Sequence, residues 1–124
     1  MTDDLPKEVL VVEDEPLTRM VAADAMAERG IMAWEAADAE EALTLLKDHP
    51  RIGLLFTDVD MPGQMNGLEL AQEVSISHPG VGLIVTSGAF QMADKDLPDH
   101  GTFLPKPYLT VKLAKLVRQK LGFD

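Results

Sequence analysis

Two carboxylates, Asp58 and Asp60, close an apolar run over residues 54–57 and are followed by the chain-turning Met61-Pro62-Gly63. Carboxylates crowded at the end of a water-avoiding run repel each other unless a cation, an ammonium or an incoming phosphoryl group compensates them. The stretch therefore points to a site. Glu13, Asp14 and Glu15 follow a second apolar run, Thr86, Ser87 and Gly88 end a third, and Lys106-Pro107 ends a fourth. Converging carboxylates without cysteine or histidine make a hard, all-oxygen donor set, suited to Mg2+ with several retained waters and unsuited to zinc. A lysine ammonium beside such a set aims positive charge at the equatorial oxygens of a moving phosphoryl group, and one carboxylate can then be the nucleophile. His49, His78 and His100 fall in helix ends or loops and stand apart from this set.

These groups need elements to bring them together. Short apolar runs over 9–12, 32–36, 53–57, 82–86 and 102–104 read as strands, and their regular alternation with amphipathic stretches predicts βα units around a parallel sheet. A helix from Pro16 to about Arg29 has proline at its first position, Leu17, Met20, Val21 and Ala25 on one apolar face, and Gly30 as its stop. Asp38 with Glu41, and Asn66 with Glu69, have capping-box spacing and open two further helices. Ala39, Ala42, Leu43 and Leu46 are the expected inner face of the first of these, and Leu70, Ala71 and Val74 that of the second. The last helix, 110–121, turns Leu113, Leu116, Val117 and Leu121 inward and carries Lys112, Lys115, Arg118 and Lys120. Between Ser87 and Lys106 a fourth helix is due, but Pro98 and Gly101 predict it short or frayed. In an open parallel sheet the functional crevice lies beyond the carboxyl ends of the strands, which is where all the reactive residues fall.

The 124 residues are expected to form one domain, 1–124, and the sequence contains no cysteine. Its net charge of −10 is localised: residues 1–62 hold fifteen acids and five bases, residues 63–124 six of each. Such an excess repels nucleic acid phosphates and anionic membrane, leaving a cation or a basic protein surface as the natural partner. No apolar run has membrane-spanning length and the amino terminus lacks a signal-peptide pattern, so a cytoplasmic location is expected.

The motifs "VLVVEDE", "LLFTDVDMPG", "MNGLEL", "LIVTSG" and "FLPKPY", in this order and spacing, resemble the receiver domain of two-component response regulators over essentially the whole chain. The resemblance implies a flavodoxin-like, doubly wound five-stranded sheet of order 2-1-3-4-5 with about five helices. It implies that Asp58 accepts a phosphoryl group from a phosphohistidine. Mg2+ would be held by Asp14, Asp58 and the main-chain carbonyl of Asp60, with Glu13 acting through water. Ser87 and Lys106 would bind phosphoryl oxygens beside the backbone of Val59 and Gly88, with Thr86 competing for the hydroxyl role. Ser87 and Phe103 match switch positions, and Lys106-Pro107 matches a position that is usually a cis peptide. The implied partners are a sensor histidine kinase or phosphotransfer protein and a downstream protein target, with the domain a monomer or a phosphorylation-dependent dimer. "DMPGQMNG" is one residue longer than in the commonest receivers, and Asp60 is an acid where many are neutral. Two alternatives stay open: a haloacid-dehalogenase-like phosphatase, suggested by the D-x-D and a later lysine, and an interaction domain that is never phosphorylated.

Overall fold

The computed structural model of the chain describes residues 7–123; residues 1–6 and Asp124, part of the expected single domain, lie outside the described residues. Nine elements alternate along it: β1 (Glu8–Val12), α1 (Pro16–Ala27), β2 (Ala33–Ala36), α2 (Ala39–Asp48), β3 (Ile52–Asp58), α3 (Gly67–Ser77), β4 (Gly82–Ser87), β5 (Thr102–Pro105) and α4 (Thr110–Leu121). The strands pair in parallel, as the βα rhythm predicts, in the doubly wound order β2-β1-β3-β4-β5 that the receiver resemblance implies.

Side chains alternate across a strand, so β1 feeds two cores. Val9 and Val11 join Leu54, Phe56 and Ile84 under α1 and α4, against Met26, Leu113 and Val117. Leu10 and Val12 join Leu55, Leu83 and Val85 under α2 and α3, against Ala42, Leu46, Leu70 and Val74. The near-continuous apolar runs at 9–12 and 83–85 follow from burial on both faces.

The helix starts are chemically explicit. Pro16 opens α1 behind Glu15, whose carboxylate accepts the Thr18 N–H at 2.9 Å. Asn66 and Glu69 close a full capping box at 2.9 Å in each direction. Asp38 caps the Glu41 N–H at 2.9 Å, but Glu41 reaches back to the Ala37 N–H at 2.7 Å, so only half of that expected box forms. Gly122 ends α4 in the left-handed region at φ 81°, and Gly30 takes φ 75° after α1.

Two expectations change. Leu17, Met20 and Val21 do not face the core: Leu17 is 66% and Val21 52% exposed, while Ala22, Ala23, Ala25 and Met26 are buried. The small alanine stripe lets α1 lie close to the sheet, which turns the larger side chains outward. The fourth helix, expected short or frayed, is reduced among the described residues to a 3₁₀ turn over Asp94–Asp96 between β4 and β5, which leaves four α-helices where about five were expected. Leu97 fills the space against the sheet, and Asp94 Oδ1 accepts the Phe103 N–H at 2.8 Å. Asp99 and His100 both take positive φ (50° and 57°), a tight reversal incompatible with a continuing helix.

Gly67, the first residue of α3, packs against the end of β3 so closely that a Cβ there would overlap the Asp58 carbonyl. Gly67→Ala is expected to lower stability by about 1–3 kcal/mol, since helix and strand must separate to admit the methyl group. Urea denaturation measures this, and an unchanged midpoint would contradict the packing.

Candidate functional site

Four strands end on one edge of the sheet, and there the sequence-predicted residues meet. Asp58 at the end of β3 and Glu13 just after β1 are buried, 4% and 6% exposed. Lys106, just after β5, reaches between them, its Nζ 3.1 Å from Glu13 Oε1 and 3.2 Å from Asp58 Oδ2. Asp14 is exposed beside them, and carboxylate oxygens of Glu13, Asp14 and Asp58 lie within 4.8 Å of one another.

The electrostatics follow from burial and crowding. Burial pushes the Glu13 pKa above its ordinary value, aided by the Asp58 charge and opposed by the Glu15 N–H and Lys106. Burial of Lys106 works against its charge, but the Glu13 hydrogen bond and the Asp58 and Glu13 charges outweigh it and leave its pKa raised. Tyr108, which meets Phe56 edge to face at 5.6 Å, is likewise raised by burial.

The other half of the site is built from backbone and hydroxyl groups. The Asp60 N–H points at Asp58 Oδ1 at 3.3 Å. Ser87 is fully buried, and its hydroxyl donates to Asp60 Oδ2 at 2.9 Å while accepting the N–H groups of Ala89 and Phe90. Gly88 follows, exposed, with the Lys106 stem 3.6 Å from where a Cβ would sit. The Lys106-Pro107 peptide is cis.

Against expectation, the Val59 N–H does not face the carboxylate of Asp58; it donates to the Thr86 carbonyl at 2.9 Å. The reason is register: Asp58 pairs with Thr86, so the next amide of β3 continues the ladder. Thr86 shares the Asp58 face of the sheet, but its hydroxyl is buried with no hydrogen-bond partner among the described residues, whereas that of Ser87 is engaged at the site edge. Phe103 is half-buried beside Val85 on the α2/α3 side. The histidines stand apart: His49 and His78 follow α2 and α3, with His49 stacked on Trp34, and His100 lies in the loop before β5. Sequence reading missed the Asp60–Ser87 bond, although the unusual acid at position 60 was its signal.

Beside Lys106 a cleft of about 640 Å³ opens between α1 and the start of α4, lined by Leu17, Val21, Gly88, Pro107, Tyr108 and Thr110. No helix among the described residues is long and apolar enough to cross a membrane.

Residues 9–118 match the model of the response regulator receiver domain. The chain belongs to that family. This receiver is 36% identical over 117 residues to the sensor kinase CckA of Brucella abortus, covering 91% of this chain and 12% of that protein. It is 35% identical over 109 residues to the transcriptional regulatory protein PdtaR of Mycobacterium tuberculosis, covering 84% and 51%. It thus spans about half of one curated relative and a small part of the other. The crystal structure of the receiver domain of the hybrid histidine kinase CckA superposes with a TM-score of 0.79 at 36% identity, covering 92% of this receiver and 98% of that chain. Receivers are the phosphoacceptor modules of two-component signalling, and the family match gives this domain that role. The haloacid-dehalogenase alternative gains no support: the acid pair lies at the end of the third strand and not of the first, and the family match is to receivers.

Proposed function

We propose that Asp58 is the residue of this receiver that accepts the phosphoryl group, and that Glu13, Asp14, Ser87 and Lys106 prepare it. The observation that carries the reading is the Lys106 ammonium held 3.1 Å and 3.2 Å from two buried carboxylates at converging strand ends. An oxygen of Asp58 attacks the phosphorus of a partner's phosphohistidine; the P–N bond breaks and an acylphosphate forms. Lys106 pairs with one phosphoryl oxygen, and Ser87 and the Gly88 N–H serve others.

The hard oxygen set of Glu13, Asp14 and Asp58 fits Mg2+; Asp14, Asp58 and the Asp60 carbonyl would hold the ion, with Glu13 acting through water. When bound, Mg2+ supplies neutralising charge at the phosphoryl oxygens. The crowded carboxylates leave negative charge for it to neutralise, because Lys106 alone sets one base against three acids.

The donor is a sensor histidine kinase or phosphotransfer protein, docked where exposed Leu17 and Val21 border the cleft beside Lys106. Phosphorylation replaces the single negative charge of the Asp58 carboxylate with about −1.5 to −2 charges on the phosphoryl group and shifts a pre-existing equilibrium that a downstream protein reads. The reading places the domain in the cytoplasm, without direct nucleic acid contact. Phe103 and Ser87 are its switch residues.

Incubation with Mg2+ and acetyl phosphate separates this from an enzyme that turns over. At most one acylphosphate per chain, followed by slow self-catalysed loss, is expected; steady hydrolysis of many equivalents of a phosphomonoester would overturn the reading.

A further inference from the structure

Ser87 Oγ has one proton, and the structure shows where it goes. It is given to Asp60 Oδ2 at 2.9 Å, while the oxygen accepts the N–H groups of Ala89 at 3.1 Å and Phe90 at 3.0 Å. A hydroxyl with a single proton cannot donate to Asp60 and to a phosphoryl oxygen on Asp58 at once. Both acceptors are anionic, so the two bonds belong to the same charge-assisted class and compete on near-equal terms.

We propose that the Asp60 side chain is a positioning residue that holds the Ser87 hydroxyl in the resting domain and must be displaced before Ser87 can serve a phosphoryl group. The inference rests on the phosphoacceptor reading and adds a role to an acid that reading uses only through its backbone carbonyl. A phosphoryl group on Asp58 increases the negative charge already present two residues from Asp60, so repulsion loosens the carboxylate as the hydroxyl is drawn away. Because Ala89 and Phe90 hang on the same oxygen, movement of Ser87 passes to the segment that stands in place of a helix, where Phe90 is exposed. Asp60 thereby deepens the resting state and raises the threshold for activation.

The test compares the full chain with Asp60→Ala, Ser87→Ala and the double variant, each at saturating Mg2+, titrated with beryllofluoride and followed by amide NMR. Asp60→Ala is expected to bind beryllofluoride about tenfold tighter than wild type, the effect of removing one competing charge-assisted hydrogen bond. In the Ser87→Ala background the same substitution is expected to give no gain. Before any beryllofluoride is added, the Ala89 and Phe90 amides of Asp60→Ala are expected to shift toward their positions in the bound wild type. Equal gains in both backgrounds would mean that Asp60 acts through its charge alone and would overturn the latch, as would no gain in either. Asp60→Asn, which keeps the shape and loses the charge, gives an intermediate affinity and guards against a folding artefact. A wild type that ignores beryllofluoride, like Asp58→Ala, overturns the phosphoacceptor reading and the latch with it.

Discussion

Asp58→Ala removes acylphosphate formation from acetyl phosphate down to background while leaving the fold intact. The nucleophile is gone, and no neighbour replaces it: Glu13 is tied to Lys106 at 3.1 Å and to the Glu15 N–H at 3.2 Å, and Asp60 to Ser87. The fold survives because losing one of two crowded carboxylates leaves Lys106 paired with the other. Stability is expected to change by no more than about 1 kcal/mol, well short of the roughly 3–5 kcal/mol lost when a buried charge is left alone. Intact-mass measurement reads the modification and urea denaturation the stability. A variant modified as readily as wild type would remove Asp58 from its role.

Lys106→Ala has a different signature, large in both readouts. Without the ammonium, Glu13 and Asp58 face each other uncompensated, and the metal-free domain is expected to lose about 2 kcal/mol. That is below the range for a fully buried pair because the lysine side chain is 28% exposed. Acylphosphate formation slows about ten- to hundredfold, the effect of one lost charge-assisted hydrogen bond to the moving group. Millimolar Mg2+ restores most of the stability of Lys106→Ala and raises its melting temperature by more than that of wild type, since the cation no longer competes with the ammonium. The sign of the pH dependence is fixed by Glu13, whose pKa is raised by burial. A protonated carboxyl offers a cation no charge, so the Mg2+ effect fades as pH falls through that raised value, earlier than an ordinary carboxylate would allow. Removing Mg2+ with a chelator stops acylphosphate formation in wild type.

The residues that were legible in the sequence are those whose position follows from strand ends. Glu13, Asp14, Asp58, Ser87 and Lys106 each come directly after or at the end of an apolar run, and a parallel sheet sends all such ends to one edge. Caps at Asn66 and Asp38 were equally readable, because their partners lie three residues away. What depends on contact across the fold was not. The apolar spacing of Leu17, Met20 and Val21 looks like a core face until the neighbouring alanines prove to be the ones that touch the sheet. Val59 loses its amide to Thr86 through a strand register that one sequence does not declare. Asp60 and Ser87 are 27 residues apart, and only the folded chain joins them. Pro98 and Gly101 signalled a weakened helix, but the pair of left-handed residues at Asp99 and His100 and the burial of Leu97 decide that a single 3₁₀ turn replaces it.

The assignment of Asp58 is tested most directly by trapping the modified residue. Wild type treated with Mg2+ and acetyl phosphate, then reduced with borohydride, should yield homoserine at position 58 on peptide mapping, with Asp14, Asp60 and Glu13 unchanged. Reduction at any of those three, or none at position 58 in a chain that carries the phosphoryl group, would contradict it.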